Sequence, residues 1–147
     1  MTNKIIIKEN QLADALIVHK TVTEFNLPFD EKEFNERVGQ KNNLVLVAYL
    51  NSQPIGFVIS YDFQNNGSIY CWLAGVDPKY RKHGAHKLMM DYLEIWSKQQ
   101  GYKNICLKTR NTRRNMLAYL VKYGYNFTGV KNQPQIEENR IFLEKKL

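Results

Sequence analysis

Between Lys79 and Lys87 the chain gathers Lys79, Arg81, Lys82, His83, His86 and Lys87 around a single glycine, Gly84. Cationic side chains at this density bind anions. The glycine lets the backbone itself approach a ligand closely. The run before the cluster, Ile69 to Val76, is apolar and aromatic and has the length of a buried strand. Pro78 ends it, because proline cannot donate to a sheet ladder. After the cluster, apolar residues at 85, 88, 89, 92, 93 and 96 mark one face of a helix, and Gly101 is placed to stop it. A helix start leaves backbone N–H groups unpaired and carries partial positive charge. Strand, basic glycine turn and helix start together predict a cradle for phosphate. Read on these residues alone, a turn that merely joins a strand to a helix with its charges solvated is the simpler alternative.

The remaining elements follow from periodicity and punctuation. Ile5-Ile6-Ile7 reads as a first strand. Asn10 is the expected cap of a helix with apolar positions 12, 15, 16, 18, 22 and 25, broken at Asn26-Leu27-Pro28. Asp30 with Glu33 forms a capping-box pattern for a short second helix closed by Gly39. These helices carry Glu24, Asp30, Glu31, Glu33 and Glu36, either as a solvated face or as an acidic wall that attracts an amine. Leu44–Leu50 and Ile55–Phe63 read as antiparallel strands turned by Asn51-Ser52-Gln53-Pro54, and Asn65-Asn66-Gly67 as the hairpin turn into the Ser68–Val76 strand. Asn104–Thr109 follows the long helix, so the two strands it joins should be parallel neighbours. Thr112 is the expected cap of a helix over Arg113–Tyr123 that Gly124 stops. Tyr125–Lys131 and Asn139–Lys145 close the chain as strands around a polar, mobile Asn132-Gln133-Pro134 loop.

The 147 residues suit one domain, 1–147, with a real core. The balance of 21 Lys and Arg against 14 Asp and Glu, net +7, calls for an anionic partner, a nucleotide-like cofactor or a nucleic acid. No apolar run reaches membrane-spanning length, and the N-terminus lacks a signal-peptide pattern. Cys71 and Cys106 have no metal-site spacing and are expected reduced in buried strands. No metal, no membrane partner and a cytoplasmic setting are therefore expected. A homodimer is left open.

The segment Val76-x-Pro78-x-Tyr80-Arg81-x-x-Gly84 resembles the coenzyme-A-binding motif of the GNAT superfamily of N-acetyltransferases, Val-x-Pro-x-Tyr-Arg-Gly-x-Gly-x-Gly. Lys82 and His86 depart from it at two of the glycines, and the Gly84-Ala85-His86 ending resembles the histone-acetyltransferase branch. The strand–helix order βααβββαβαββ is also similar to that family's across nearly the whole chain, although only Trp72 to Met90 is motif-grade. The resemblance implies a single domain of α/β (mixed α+β) class, with a mixed, mostly antiparallel sheet of about seven strands and about four flanking helices.

The resemblance also implies roles. Acetyl-CoA would be the cosubstrate and an amine-bearing molecule the acceptor. Backbone groups of Ala74, Gly75 and Val76 would pair with the pantetheine arm, and the Val76 amide would polarise the thioester carbonyl. The pyrophosphate would lie on the amides of Lys82, His83, Gly84, Ala85, His86 and Lys87, with Arg81 adding a charged contact. Gly75 alone would suit either a bulge or relief of crowding beside Trp72. Arg113 falls where an asparagine commonly touches the cofactor. No carboxylate lies on the Ser68–Val76 strand, so water or Glu24 would take the proton from the attacking ammonium. Aligning Gly124-Tyr125 on the family's Gly-Phe puts Leu120 where a tyrosine usually protonates the leaving thiolate. Tyr119 and Tyr123 are the nearby phenols: depth along the helix favours Tyr119, rotation favours Tyr123. Two other readings compete. One is a non-catalytic acyl-CoA sensor, kept open by Leu120. The other is a nucleic-acid-binding module, for which the aromatics sit mostly at core-periodic positions instead of among exposed basic ones.

Overall fold

Leu44 to Leu50 is apolar at successive positions without alternation, so a strand here must be covered on both faces. The computed structural model, which describes residues 4–23, 25 and 29–147, supplies both covers. Strand β2 (Asn43–Leu50) and strand β3 (Gln53–Tyr61) are buried along nearly their whole lengths. They lie in a seven-stranded sheet ordered β1-β2-β3-β4-β5-β7-β6. The other strands are β1 (Ile5–Glu9), β4 (Ser68–Val76), β5 (Asn104–Arg110), β6 (Asn126–Lys131) and β7 (Arg140–Lys146). Helices α1 (Leu12–Thr21) and α2 (Glu31–Arg37) cover one face; α3 (Ala85–Gln99) and α4 (Arg114–Lys122) belong to the other. The core is accordingly double. Val45, Val47, Phe57 and Ile59 pack under α1, while Leu46, Val58, Met89, Leu93 and Leu120 pack between the sheet and α3 and α4.

Every neighbouring pair is antiparallel except β4 and β5, the pair joined through α3. Their pairing is short: Ser68 with Asn104, Ile69 with Ile105, Tyr70 with Cys106, and no further. On its other edge β4 slips register against β3, where Ser60 opposes Cys71 and Ile59 opposes Leu73. Trp72 is the extra residue, and such a bulge bends its strand and sharpens its twist. β4 therefore leaves β5 after Tyr70, and a gap opens between the two.

Several sequence expectations are corrected. Asn10 does not cap α1. It has φ +62° and donates its N–H to the Val45 carbonyl at 3.0 Å, closing the β1–β2 pair, and Gln11 precedes the helix without a side-chain cap. Thr112 does not cap α4 either, because Arg113 occupies that position with no side-chain cap. Leu88 is 45% exposed, whereas Met90 is buried, so α3 is rotated slightly from the expected face. Pro54 lies inside β3, opposite Tyr49 at a register shift, and Asn51 and Ser52 at φ +51° and +67° make the turn. The loop before β7 is tied down, with the Gln133 N–H donating to Asn139 Oδ1 at 2.7 Å and Asn111 Nδ2 to the Ile136 carbonyl at 3.2 Å. Asp30 does cap α2, accepting from the Glu33 N–H at 2.9 Å. α2 has no buried residue, so the described acids stand on a solvated face. Glu24 and the Asn26-Leu27-Pro28 break lie outside the described residues. Among those residues no helix is long and apolar enough to cross a membrane.

Gly75 accounts for one tight contact beside the gap. A Cβ there would stand 3.0 Å from Val22 Cγ2, 3.1 Å from Phe57 Cε1 and 3.2 Å from Phe25 Cε2. The glycine therefore relieves crowding by these three side chains, with Trp72 not among them. Gly75→Ala should cost about 1–3 kcal/mol through overpacking. Gly129→Ala, whose Cβ meets only Phe142 Cδ2 at 4.0 Å, should be neutral or slightly stabilising. Urea unfolding of both variants checks this: the midpoint should fall for Gly75→Ala alone, with the slope unchanged. Equal midpoints would mean that the packing around Gly75 is slack.

Candidate active site

The gap between β4 and β5 opens into a cleft of about 550 Å³. One wall is the end of β4. The Asp77 N–H donates to the Ile55 carbonyl at 2.8 Å, so Asp77 turns its backbone toward β3. Strand alternation then turns Gly75 the same way and Ala74 and Val76 the opposite way, into the gap. Of the three β4 residues expected to pair with a ligand, Ala74 and Val76 thus offer backbone groups. Gly75 lines the cleft but commits its own to β3.

The turn after β4 is built residue by residue. Asp77 Oδ1 accepts the Lys79 N–H at 3.0 Å, and Pro78–Tyr80 form a single 3-10 turn. Arg81 folds back and donates from Nε to the Val76 carbonyl at 3.2 Å, so its guanidinium is held at the cleft wall. Lys82 and Gly84 have φ +74° and +83°; with the left-handed region entered twice in three residues, successive N–H groups turn to a common concave side. Gly84 is also the N-cap of α3 and has no side chain to cap it. The first α3 amide with an intrahelical partner is Leu88, which donates to Gly84 at 3.1 Å, so Ala85, His86 and Lys87 present theirs.

A second helix start meets the first. Thr112 and Arg113, just before α4, and Arg114, Asn115 and Met116 in its first turn line the same cleft. Two helix N-termini thus converge on one space, each contributing partial positive charge. The charged side chains lining it are Arg81, Lys82, Lys87, Arg113 and Arg114, with no carboxylate among the described residues. Arg114 and Asn115 match no motif; of the residues at this start, the resemblance implies a cofactor contact for Arg113 alone. His83, by contrast, is exposed and does not line the cleft. The side chain of Lys87 is engaged elsewhere. It pairs with Asp91 at 2.5 and 2.7 Å and lies over the Tyr123 ring at 4.7 Å, so what it offers inward is its amide.

His86 contributes in the same way, because its side chain turns inward. Burial pushes the imidazole down to about 4, and Nε2 is buried with no hydrogen-bond partner in the described residues. Its ring meets Tyr119 edge-on at 4.5 Å, and Tyr119 meets Tyr123 at 4.6 Å. Both tyrosines line the cleft. Burial, then the Asp91 carboxylate, raises the Tyr119 phenol well above its ordinary value, so it remains a proton donor at any physiological pH. Leu120 is fully buried in the core and takes no part in proton chemistry. Burial also pushes the Cys71 thiol up to about 12, and Cys71 and Cys106 are both unbridged.

A smaller cleft of about 70 Å³ continues through the gap toward the other face of the sheet. Ala74, His86, Arg113 and Met116 line both spaces, so the two meet there. Phe25 and Trp72 line it from the α1 face, Leu107 and Leu120 from the α3–α4 face, and Lys108 lines it too. Together they form a positively charged channel with free strand edge on one wall, joined to a narrow second space. The group this suits is a long phosphorylated ligand with amide linkages along its arm.

A family model described as the acetyltransferase (GNAT) family matches residues 11–125. No curated protein matches the sequence. Solved structures share the fold at low identity. The ribosomal-protein-S18-alanine N-acetyltransferase from Escherichia coli is 17% identical with a TM-score of 0.83, covering 97% of this chain and 94% of that one. Ard1 from Thermoplasma volcanium is 16% identical with a TM-score of 0.81, covering 97% of each chain. A GNAT family acetyltransferase from Elizabethkingia anophelis with acetyl-CoA bound is 18% identical with a TM-score of 0.75, covering 99% and 100%.

The buried neutral imidazole has a measurable signature. Its folded value of about 4 lies below the unfolded 6.5. Its stability contribution is therefore complete above pH 6.5 and is lost as pH falls toward 4, about 3 kcal/mol in all. Urea unfolding at pH 7 and 4.5 should show a smaller acid loss for His86→Leu than for the parent, by about 2–3 kcal/mol. Equal losses would mean that His86 is solvated.

Proposed function

The chain belongs to the GNAT family of acetyltransferases, with acetyl-CoA as its cosubstrate, and on that premise we propose that it passes the acetyl group by direct attack of a primary amine while both substrates are held. The observation that carries this reading is the meeting of the two clefts at Ala74, His86, Arg113 and Met116. A ligand in the large cleft and an amine in the small one would come together at the splayed edge of β4.

Acetyl-CoA supplies an activated thioester, and the chain supplies position and charge. The amides of Lys82 through Lys87 bind the pyrophosphate, with the Arg81 guanidinium beside them and the starts of α3 and α4 adding field. Backbone groups of Ala74 and Val76 hold the pantetheine arm as an added strand would. The Val76 N–H, pointing into the gap, is the donor for the carbonyl oxygen that gains charge. Arg113 closes the channel from the α4 side. Tyr119 donates the proton to the departing sulfur, since it lies beside His86 at the junction and stays protonated; Tyr123 lies nearer the mouth, by Lys87. The His83 side chain, which is exposed, is not needed by this arrangement. A second reading, an acyl-CoA sensor without turnover, is favoured by the buried Leu120 at the position where the family has its acid.

Calorimetric titration should show acetyl-CoA binding, and at a hundredfold excess over Kd the ligand should stabilise the fold by about 2.7 kcal/mol. Gly84→Glu should weaken that binding at least tenfold, about 1.4 kcal/mol. Gly84→Ala carries similar backbone strain without the charge and should weaken it less. Unchanged affinity in the glutamate variant would put the phosphates elsewhere.

Tyr119→Phe and Tyr123→Phe separate the two phenols. General acids usually contribute about 10²–10⁴-fold. A kcat loss above about thirtyfold is expected for Tyr119→Phe, with the acetyl-CoA Kd unchanged, and little loss for Tyr123→Phe. If both keep near-full kcat while chemistry limits the rate, water protonates the thiolate. A protein that binds acetyl-CoA but turns over no amine is the sensor.

A further inference from the structure

The acceptor side of the gap has its own charge, and that charge is of one sign. Lys108 and Arg113 are the charged residues that line the small cleft, with no carboxylate among the described residues there. On β5, Ile105 and Leu107 join the core on the α3 face, so Cys106, Lys108 and Arg110 project from the other face. Lys108 is exposed and has no ion-pair or hydrogen-bond partner among the described residues. Its antiparallel neighbours extend the same surface: Phe142 opposite Lys108, and Arg140 opposite Arg110. Arg110 and Arg140 share a single carboxylate, Glu138, at 3.5 and 3.9 Å. Arg37 of α2 lies over Trp72 at 4.4 Å from the opposite bank. Glu144 stands opposite Cys106, where β4 and β5 are still paired and the gap is closed.

Resting on the transfer reading above, we propose that the acceptor is an α-amine whose side chain carries a carboxylate, as in an acidic amino acid or a peptide amino terminus with an acidic first residue. The carboxylate pairs with the Lys108 ammonium at the far end of the small cleft, while Phe25 and Trp72 flank the carbon body between the charges. The amino group then reaches the junction at Ala74 and His86. A polyamine or a lysine side chain would instead bring further positive charge against Lys108, with no carboxylate of a described residue in the cleft to receive it. The neutrality of His86 fits the same scheme, because it adds no like charge at the point where the amine must arrive. Cationic surroundings also favour the uncharged form of the amine, which is the nucleophile. This bears on a strand whose described residues include no acid to take the proton.

The test uses matched ligands on the full chain. Peptide amides that begin Glu-Ala-Ala-Ala, Gln-Ala-Ala-Ala and Lys-Ala-Ala-Ala, with free glutamate, free glutamine and spermidine, are compared in turnover with saturating acetyl-CoA. The same set is compared by calorimetry with CoA present. The glutamate-headed peptide or free glutamate should exceed its glutamine counterpart at least tenfold in kcat/KM or affinity, with spermidine and the lysine-headed peptide lowest. Peptide against free amino acid identifies the source. Lys108→Glu should lose that preference or reverse it, while its acetyl-CoA affinity stays at the parent's value, since Lys108 does not line the large cleft. Rising salt should weaken the anionic ligands most. Equal use of the charged and neutral members, preference for spermidine, or an unchanged order in Lys108→Glu would overturn the proposal. The expected binding order without any turnover would support it and overturn the transfer reading instead.

Discussion

Everything at this site depends on three residue pairs. β4 and β5 hold together through Ser68, Ile69 and Tyr70 and then part. Parallel strands buried in one sheet would normally continue their ladder, because each unpaired amide or carbonyl costs desolvation free energy. The bulge at Trp72 breaks that continuity from the other edge, by turning β4 toward β3 and away from β5. The backbone groups of Ala74 and the Val76 N–H are left facing the gap, while the Val76 carbonyl accepts from Arg81 Nε. A ligand with amide linkages can satisfy them, and so an unfinished sheet becomes a binding edge. Pairing on the closed side of the gap is retained by the rest of the fold: β5 is paired with β7 over its whole length, and β3 holds the end of β4 through the Asp77 amide.

The electrostatics follow from the same opening. Because β4 and β5 separate, the helices that follow each of them start at the rim of one cleft instead of on opposite sides of a closed sheet. α3 begins at a glycine and α4 at an arginine, and neither has a side-chain cap, although the Arg114 N–H donates to the Thr112 carbonyl at 2.9 Å. Five basic side chains line the same space. Concentrating positive charge without a ligand carries repulsion, and the structure limits it in two ways. Lys87 is neutralised by Asp91, and His86 is held uncharged by burial. The imidazole that could have added a further charge becomes part of the wall against Tyr119.

The glycines near the site illustrate two separate constraints. Gly84 is required by conformation: it has φ +83°, and a Cβ there would meet nothing within 4 Å. Gly75 is required by space, since its backbone is ordinary strand and three side chains crowd the position of its missing Cβ. The letters in the chain are the same in both cases. Only the neighbours tell them apart, and the neighbours of Gly75 are Val22 at the end of α1, Phe57 of β3 and Phe25.

The strands, the two long helices, the glycine turn between β4 and α3 and the fold class were legible in the sequence because each rests on local chemistry. Alternation, helical spacing, Pro78, Gly84 and Gly101 act within a few residues of themselves. The local signals that failed were caps. Asn10 and Thr112 have the right side chains for N-caps, yet Asn10 is drawn into the β1–β2 pair and Arg113 takes the position expected for Thr112. Side-chain direction was also beyond local reach. His86 reads as one more basic residue of the turn, but packing against Tyr119 sends it inward and removes its charge. Arg114 and Lys108 carry no motif at all. They reach the clefts because α4 starts at the rim and because β5 turns alternate residues to the open face. Sequence determined the elements and the basic glycine turn, which depend on contacts within a few residues. Tertiary structure decided which side chains meet across the gap and with what net charge, because those contacts join β4, β5, α3 and α4 across separations that no local pattern encodes.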